Sequence, residues 1–152
     1  MSRIAAASEA APAVAVRATR PRRIAALALL ALGIVALGAA AAGYKIKQDR
    51  KSNARAVALT GGDPNKAPAL IIQYGCAGCH QVPGVRGPGG KVGPPLADVK
   101  SRIYLGGRLI NTPDNLIAWI EDPRKIDPKT AMPTAGVSKA QARDIAAYLL
   151  AL

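Results

Sequence analysis

Cys76-Ala77-Gly78-Cys79-His80 is the stretch that most narrows what this chain can become. It holds both cysteines and the one histidine of 152 residues. A structural zinc site needs four ligands, and no further Cys or His exists to complete one. A thioredoxin-like dithiol has no need of the histidine, and no βαβ pattern surrounds the motif. Cys-x-x-Cys-His is instead the pattern of c-type haem attachment. Each thiol adds to one vinyl group on the same edge of a porphyrin, so the sulfurs must sit about one helical turn apart. Ala77 and Gly78 keep bulk away from the macrocycle, and His80 falls over the metal as proximal ligand.

What such an iron does depends on its other face. Met1 is the initiator, which leaves Met132, in Thr130-Ala131-Met132-Pro133, as the candidate sixth ligand. A lone methionine is ordinarily a flexible core filler. This one lies in a Pro-rich loop rather than on an apolar helix face, and no second histidine competes with it. A His80/Met132 pair raises the reduction potential and closes the iron to small ligands, which suits electron transfer more than catalysis.

From Leu116 the chain runs Leu-Ile-Ala-Trp-Ile-Glu-Asp-Pro-Arg-Lys-Ile-Asp-Pro-Lys-Thr-Ala-Met-Pro. Together with the haem motif and Gly93-Pro94-Pro95-Leu96, this resembles the class I cytochromes c over about Gly62 to Leu152. The resemblance implies an all-α class I cytochrome c fold around one covalently attached haem c. It implies thioether links at Cys76 and Cys79, and iron ligation by His80 and Met132. By the same resemblance the Pro94 carbonyl accepts the proximal histidine's ring N–H and Leu96 packs on the haem. Trp119 stands near the methionine sulfur, Thr130 touches a propionate, and Tyr148 packs across the first helix of the domain. The short run between Pro94 and Trp119 departs from the longer mitochondrial type. Arg102, Tyr104, Arg108 and Asn111 are further propionate candidates.

Ahead of this domain the residues divide into a basic tail at 1–23, an uncharged run at 24–43 and a connector at 44–61 that reads as part helix near the membrane and then linker. The run Ile24 to Gly43 is almost wholly Ala, Leu, Ile, Val and Gly, and its 20 residues suffice to cross a bilayer as a helix. A cleaved signal peptide is the alternative, though its apolar region is usually shorter. Five basic residues precede the run and five follow it by residue 55, so charge leaves the orientation undecided. Covalent haem attachment, as the resemblance implies, takes place outside the bacterial cytoplasmic membrane. That puts the tail in the cytoplasm and the haem domain in the periplasm.

The formal net charge of +12 divides into +8 up to residue 55 and +4 beyond. The excess therefore belongs to the membrane-flanking part. It suits anionic headgroups better than nucleic acid. Phenylalanine is absent, which makes a thin side-chain core that a haem would fill out.

Within the domain, Lys66 to Tyr74 reads as a helix leading into the cysteines. Gln81 to Gly93, with Pro83, Pro88 and five glycines, reads as a loop around the haem edge. A short helix is expected over Leu96 to Tyr104, ended by Gly106-Gly107. Thr112 and Pro113 start a helix that Pro123 stops, and Ser138 caps the last one. No strand pattern of useful length occurs. Arg86, Lys91, Lys100, Arg124, Lys125 and Lys129 read either as a solvated surface or as a docking face for an acidic redox protein.

Three functions follow. The first is a membrane-tethered monohaem electron carrier of a respiratory chain, itself no enzyme, working to or within a haem-copper cytochrome oxidase and fed by a quinol:cytochrome c reductase. The Asn-Thr-Pro-Asp-Asn-Leu to Met-Pro region resembles cytochrome c modules that accompany such oxidases. The second is an electron-transfer subunit of a periplasmic dehydrogenase or reductase. The third is a haem sensor or peroxidase-like enzyme with an open sixth position, against which Met132 argues.

Overall fold

The computed structural model describes residues 21–152; the expected basic tail lies outside the described residues but for its last few positions. Two compact units divide the described residues, with the boundary between residues 42 and 43. Helix α1, Pro21–Thr60, begins in the first and ends in the second. In the first unit it carries the uncharged run, with mean hydropathy 2.5 in its most apolar window and exposed side chains, and it is long and apolar enough to cross a membrane.

In the second unit the connector is helical further than expected. Residues 44–60 are helical throughout, and only Gly61, with φ +66°, ends the helix. Ser52, Ala56 and Thr60 recur every four residues and so share one face. The Ser52 hydroxyl donates to the Ala151 carbonyl (2.8 Å), Ala56 is 1% exposed, and buried Thr60 takes the Gly62 N–H on its own hydroxyl. The charge-rich composition hid this small-residue stripe. Lys47, Arg50 and Lys51 line a shallow groove elsewhere on the helix with Gly43, Ile46 and Ala54.

Beyond it come α2, Ala67–Gln73, and α3, Cys76–Cys79. A 3₁₀ turn at Val99–Ser101 leads into β1, Tyr104–Leu105, and β2, Leu109–Ile110. These strands pair antiparallel, Tyr104 opposite Ile110 and Leu105 opposite Leu109. The helix expected over Leu96 to Tyr104 is thus only the 3₁₀ turn, and Gly106-Gly107, both at positive φ, turn a hairpin rather than end a helix. Two-residue strands leave no alternating pattern to read.

Helix α4, Pro113–Glu121, is capped by Thr112, whose hydroxyl accepts from Asn115 N. Asp122 ends it and caps the next turn, α5, Pro123–Ile126. Helix α6, Lys139–Ala151, opens on a capping box in which Ser138 and Gln141 satisfy each other's backbone N–H groups. Helix α6 packs on both α2 and α4. Their shared core holds Ile71, Leu116, Ile117, Ile120, Ala142, Ile145 and Leu149, and burying each Ile or Leu stabilises by about 1.5–3 kcal/mol.

Candidate haem site

The glycine before the first cysteine starts the site. Gly75, at φ +68°, lets the chain turn out of α2 and into the single turn of α3. That turn presents Cys76 and Cys79, both half-buried, and the His80 N–H closes it on the Cys76 carbonyl at 3.0 Å. His80 itself is extended, so its ring leaves the helix where the sulfurs end. Burial raises the Cys76 thiol above its ordinary pKa, with the neighbouring Cys79 adding to the shift.

The loop after the motif folds back along it. Gly90 N donates to the Ala77 carbonyl, Gly93 N to that of Cys79 at 2.9 Å, and Leu96 N to that of Gln81 at 2.8 Å. This brings the Pro94 carbonyl 2.7 Å from His80 Nδ1. A carbonyl can only accept, so Nδ1 carries the proton and Nε2 keeps its lone pair for a metal. Gly93 lies hard against the ring, where an added Cβ would fall 2.3 Å from Cε1.

On its far side the cavity is built by the second half of the chain. Met132 is half-buried, and its N–H donates to the Thr130 hydroxyl at 3.2 Å. Trp119, on α4, packs beside the hairpin turn at Gly106. All eight residues that the sequence assigns to a site, Cys76, Cys79, His80, Pro94, Leu96, Trp119, Thr130 and Met132, line one cavity of about 290 Å³. Its other walls are mainly apolar, from Ile71, Val99, Leu105, Leu116, Ile120, Ile145 and Leu149.

Of the four further propionate candidates, Arg102 alone lines this cavity, and its guanidinium donates to the Pro95 carbonyl. Asn111 spends its amide N–H groups on the carbonyls of Val99 (2.6 Å) and Arg102 (2.9 Å), fastening the 3₁₀ turn instead. Arg108 pairs with Asp127 at 3.3 Å, and Tyr104 stands exposed on the hairpin. Tyr148 reaches the loop after the motif, donating to the Pro83 carbonyl at 2.5 Å. The hydroxyl that ties the domain's first helix region to α6 is that of Tyr74, which donates to Gln141 at 2.9 Å.

The family model described as cytochrome c matches residues 64–152. The chain belongs to the cytochrome c family. The cytochrome domain binds covalently attached haem c and carries electrons. Its residues suit that group: two thiols one turn apart, an imidazole with one nitrogen held and the other free, and an apolar cavity without a carboxylate in its lining. Cytochrome c oxidase subunit 2 of Alkalihalophilus pseudofirmus is similar to this cytochrome, 32% identical over 89 residues. Those residues are 58% of this chain and 25% of that protein, so the chain spans about a quarter of the relative's length.

Proposed function

We propose that the protein is a membrane-tethered monohaem cytochrome c that passes single electrons to or within a haem-copper oxidase. Cys76 and Cys79 would carry the haem through thioether links, and His80 and Met132 would ligate its iron. The observation that carries this reading is the hydrogen bond from His80 Nδ1 to the Pro94 carbonyl, in a cavity that Met132 also lines. Bound haem supplies an iron that takes up and gives back one electron. The chain's own part is to hold both ligands through the change. The Pro94 bond fixes the imidazole's tautomer and tilt, Thr130 braces the Met132 backbone, and apolar walls exclude water. A site already arranged for both oxidation states reorganises little. That is the requirement for fast transfer.

The similarity to an oxidase subunit favours the oxidase over a dehydrogenase or reductase as partner. A quinol:cytochrome c reductase is the matching electron source. Residues 24–43 form the single anchor in a bacterial cytoplasmic membrane, 1–23 the cytoplasmic tail, and 62–152 the periplasmic haem domain. The basic residues Lys47, Arg50 and Lys51 follow the apolar run by four to eight residues and suit anionic headgroups.

Absorption spectra of the haem-loaded protein and a Met132→Ala variant test the reading. The wild type is expected to be low-spin, with the methionine-to-ferric-iron charge-transfer band. The variant loses that band and binds carbon monoxide. A wild type that is high-spin or takes up carbon monoxide readily would bring the sensor or peroxidase reading forward.

A further inference from the structure

The segment that carries Met132 is closed on itself by two side chains outside the cavity. Asp122 Oδ1 accepts from Lys125 N at 3.2 Å, as cap of α5, and from the Thr134 hydroxyl at 2.7 Å. Neither Asp122 nor Thr134 lines the cavity. Up to Met132 the segment is well stitched: Asp127 N donates to the Pro123 carbonyl, Thr130 N to the Asp127 carbonyl and Met132 N to Thr130. Its first half is also fastened outward, since Asp127 pairs with Arg108 on the hairpin loop and keeps only 15% of its side chain exposed.

Past Met132 the pattern changes. From Pro133 to Val137 the backbone makes no hydrogen bond among the described residues, until the Ser138 cap. Over that stretch Thr134 to Asp122 is the one bond that ties the chain back to the fold. The Thr134 hydroxyl, more than any other group, holds the Asp122 carboxyl below the usual carboxylate range, so the acceptor is charged at neutral pH.

We propose that the Asp122–Thr134 bond is a latch that sets how firmly Met132 is presented to the haem iron, which makes both residues positioning residues for the axial ligand. The proposal rests on the reading of Met132 as sixth ligand. Without the latch, the backbone between Met132 and the buried Val137 loses that one hydrogen bond, and conformations with the thioether away from the iron gain weight. The gain is limited, because Asp127 and Thr130 still hold the other side. An exposed, charge-assisted hydrogen bond is worth about a three- to tenfold change in such an equilibrium.

The test uses the full chain in detergent, matured with haem, in the ferric state. Imidazole, which competes with Met132, is titrated against the wild type, Thr134→Val and Thr134→Ser, and the reduction potential of each is measured. Thr134→Val is expected to bind imidazole about three- to tenfold more tightly, with a weaker charge-transfer band and a lower potential. Thr134→Ser, which keeps the hydroxyl, returns all three to wild-type values. Asp122→Asn keeps an acceptor without the charge and falls between, and it decides the matter if Thr134→Val yields no haem protein. Wild-type imidazole affinity and potential in these variants, even with a lower melting temperature, overturn the latch. A wild type that lacks the charge-transfer band overturns Met132 ligation first, and the latch with it.

Discussion

His80 Nδ1 and the Pro94 carbonyl oxygen stand 2.7 Å apart, and the backbone of Gly93 fills the space behind the same imidazole. The loop that accepts the proton therefore also walls the ring in. Gly93→Ala would set a methyl 2.3 Å from His80 Cε1, so the ring must turn and the bond to Pro94 break. Overpacking of this kind costs about 1–3 kcal/mol. Haem incorporated per chain, measured as the pyridine haemochrome, is expected to fall. The fraction that matures should show more high-spin iron and a lower potential.

Trp119 reports on the other wall, and it is the chain's one tryptophan. Gly106 holds φ +53°, and a Cβ there would lie 2.5 Å from Trp119 Cη2. Gly106→Ala thus combines backbone strain with a clash, an expected loss of about 1–3 kcal/mol in denaturant unfolding. The indole is pushed from the cavity and away from the quenching haem. Tryptophan fluorescence of the folded holoprotein is expected to rise, and unchanged fluorescence would refute the displacement.

The end of α1 belongs to the wall of the domain. A Cβ on Gly62 would fall 2.2 Å from the Arg143 carbonyl oxygen, and the next N–H, of Asp63, donates to the Asp144 carboxylate at 2.7 Å. Gly62→Ala is expected to lower stability by about 1–3 kcal/mol. Ser52→Ala, which loses its bond to Ala151, costs about 0.5–1.5 kcal/mol. Thermal unfolding of the haem-loaded protein checks both values.

Alkaline pH tests Tyr148. Burial raises its phenol above the ordinary value of 10.0, so the folded form holds its proton after the unfolded chain has released it. Between the two values the folded state binds more protons, and stability must fall as pH rises. This contribution is intact below pH 10 and is lost above it. Tyr148→Phe removes that descent, and it also removes the bond to Pro83. Guanidinium unfolding from pH 8 to 11 is expected to show a variant less stable at pH 8 and flatter beyond pH 10.

What the sequence made legible was local chemistry. Thr112-Pro113 and Ser138 fix helix starts because a cap acts within three residues of itself, and the structure places both caps where the residues call for them. The haem motif is equally local. Trp119 came within reach only through resemblance to a family, and Met132 by elimination as the one methionine besides Met1, since nothing in spacing brings residue 132 to residue 80. Pairs whose partners lie far apart left no signal. Arg108 and Asn111 both read as propionate candidates; Arg108 binds Asp127 and Asn111 binds two carbonyls. The hairpin at Tyr104–Ile110 was missed because two-residue strands carry no period. The buried stripe of Ser52, Ala56 and Thr60 was masked by charges that occupy the rest of the helix surface.

That stripe bears on anyone who wishes to handle the cytochrome in water. The family similarity starts at residue 64, and it invites a cut there. Such a cut would discard the Ser52 hydroxyl, the buried Ala56 and Thr60, and the helix end that seats Gly62 beside Arg143. It would open a raw flank along the C-terminal helix and invite aggregation. A truncation that begins at residue 43 keeps that flank clothed while shedding the greasy run before it. For this chain the useful soluble fragment is longer than its family.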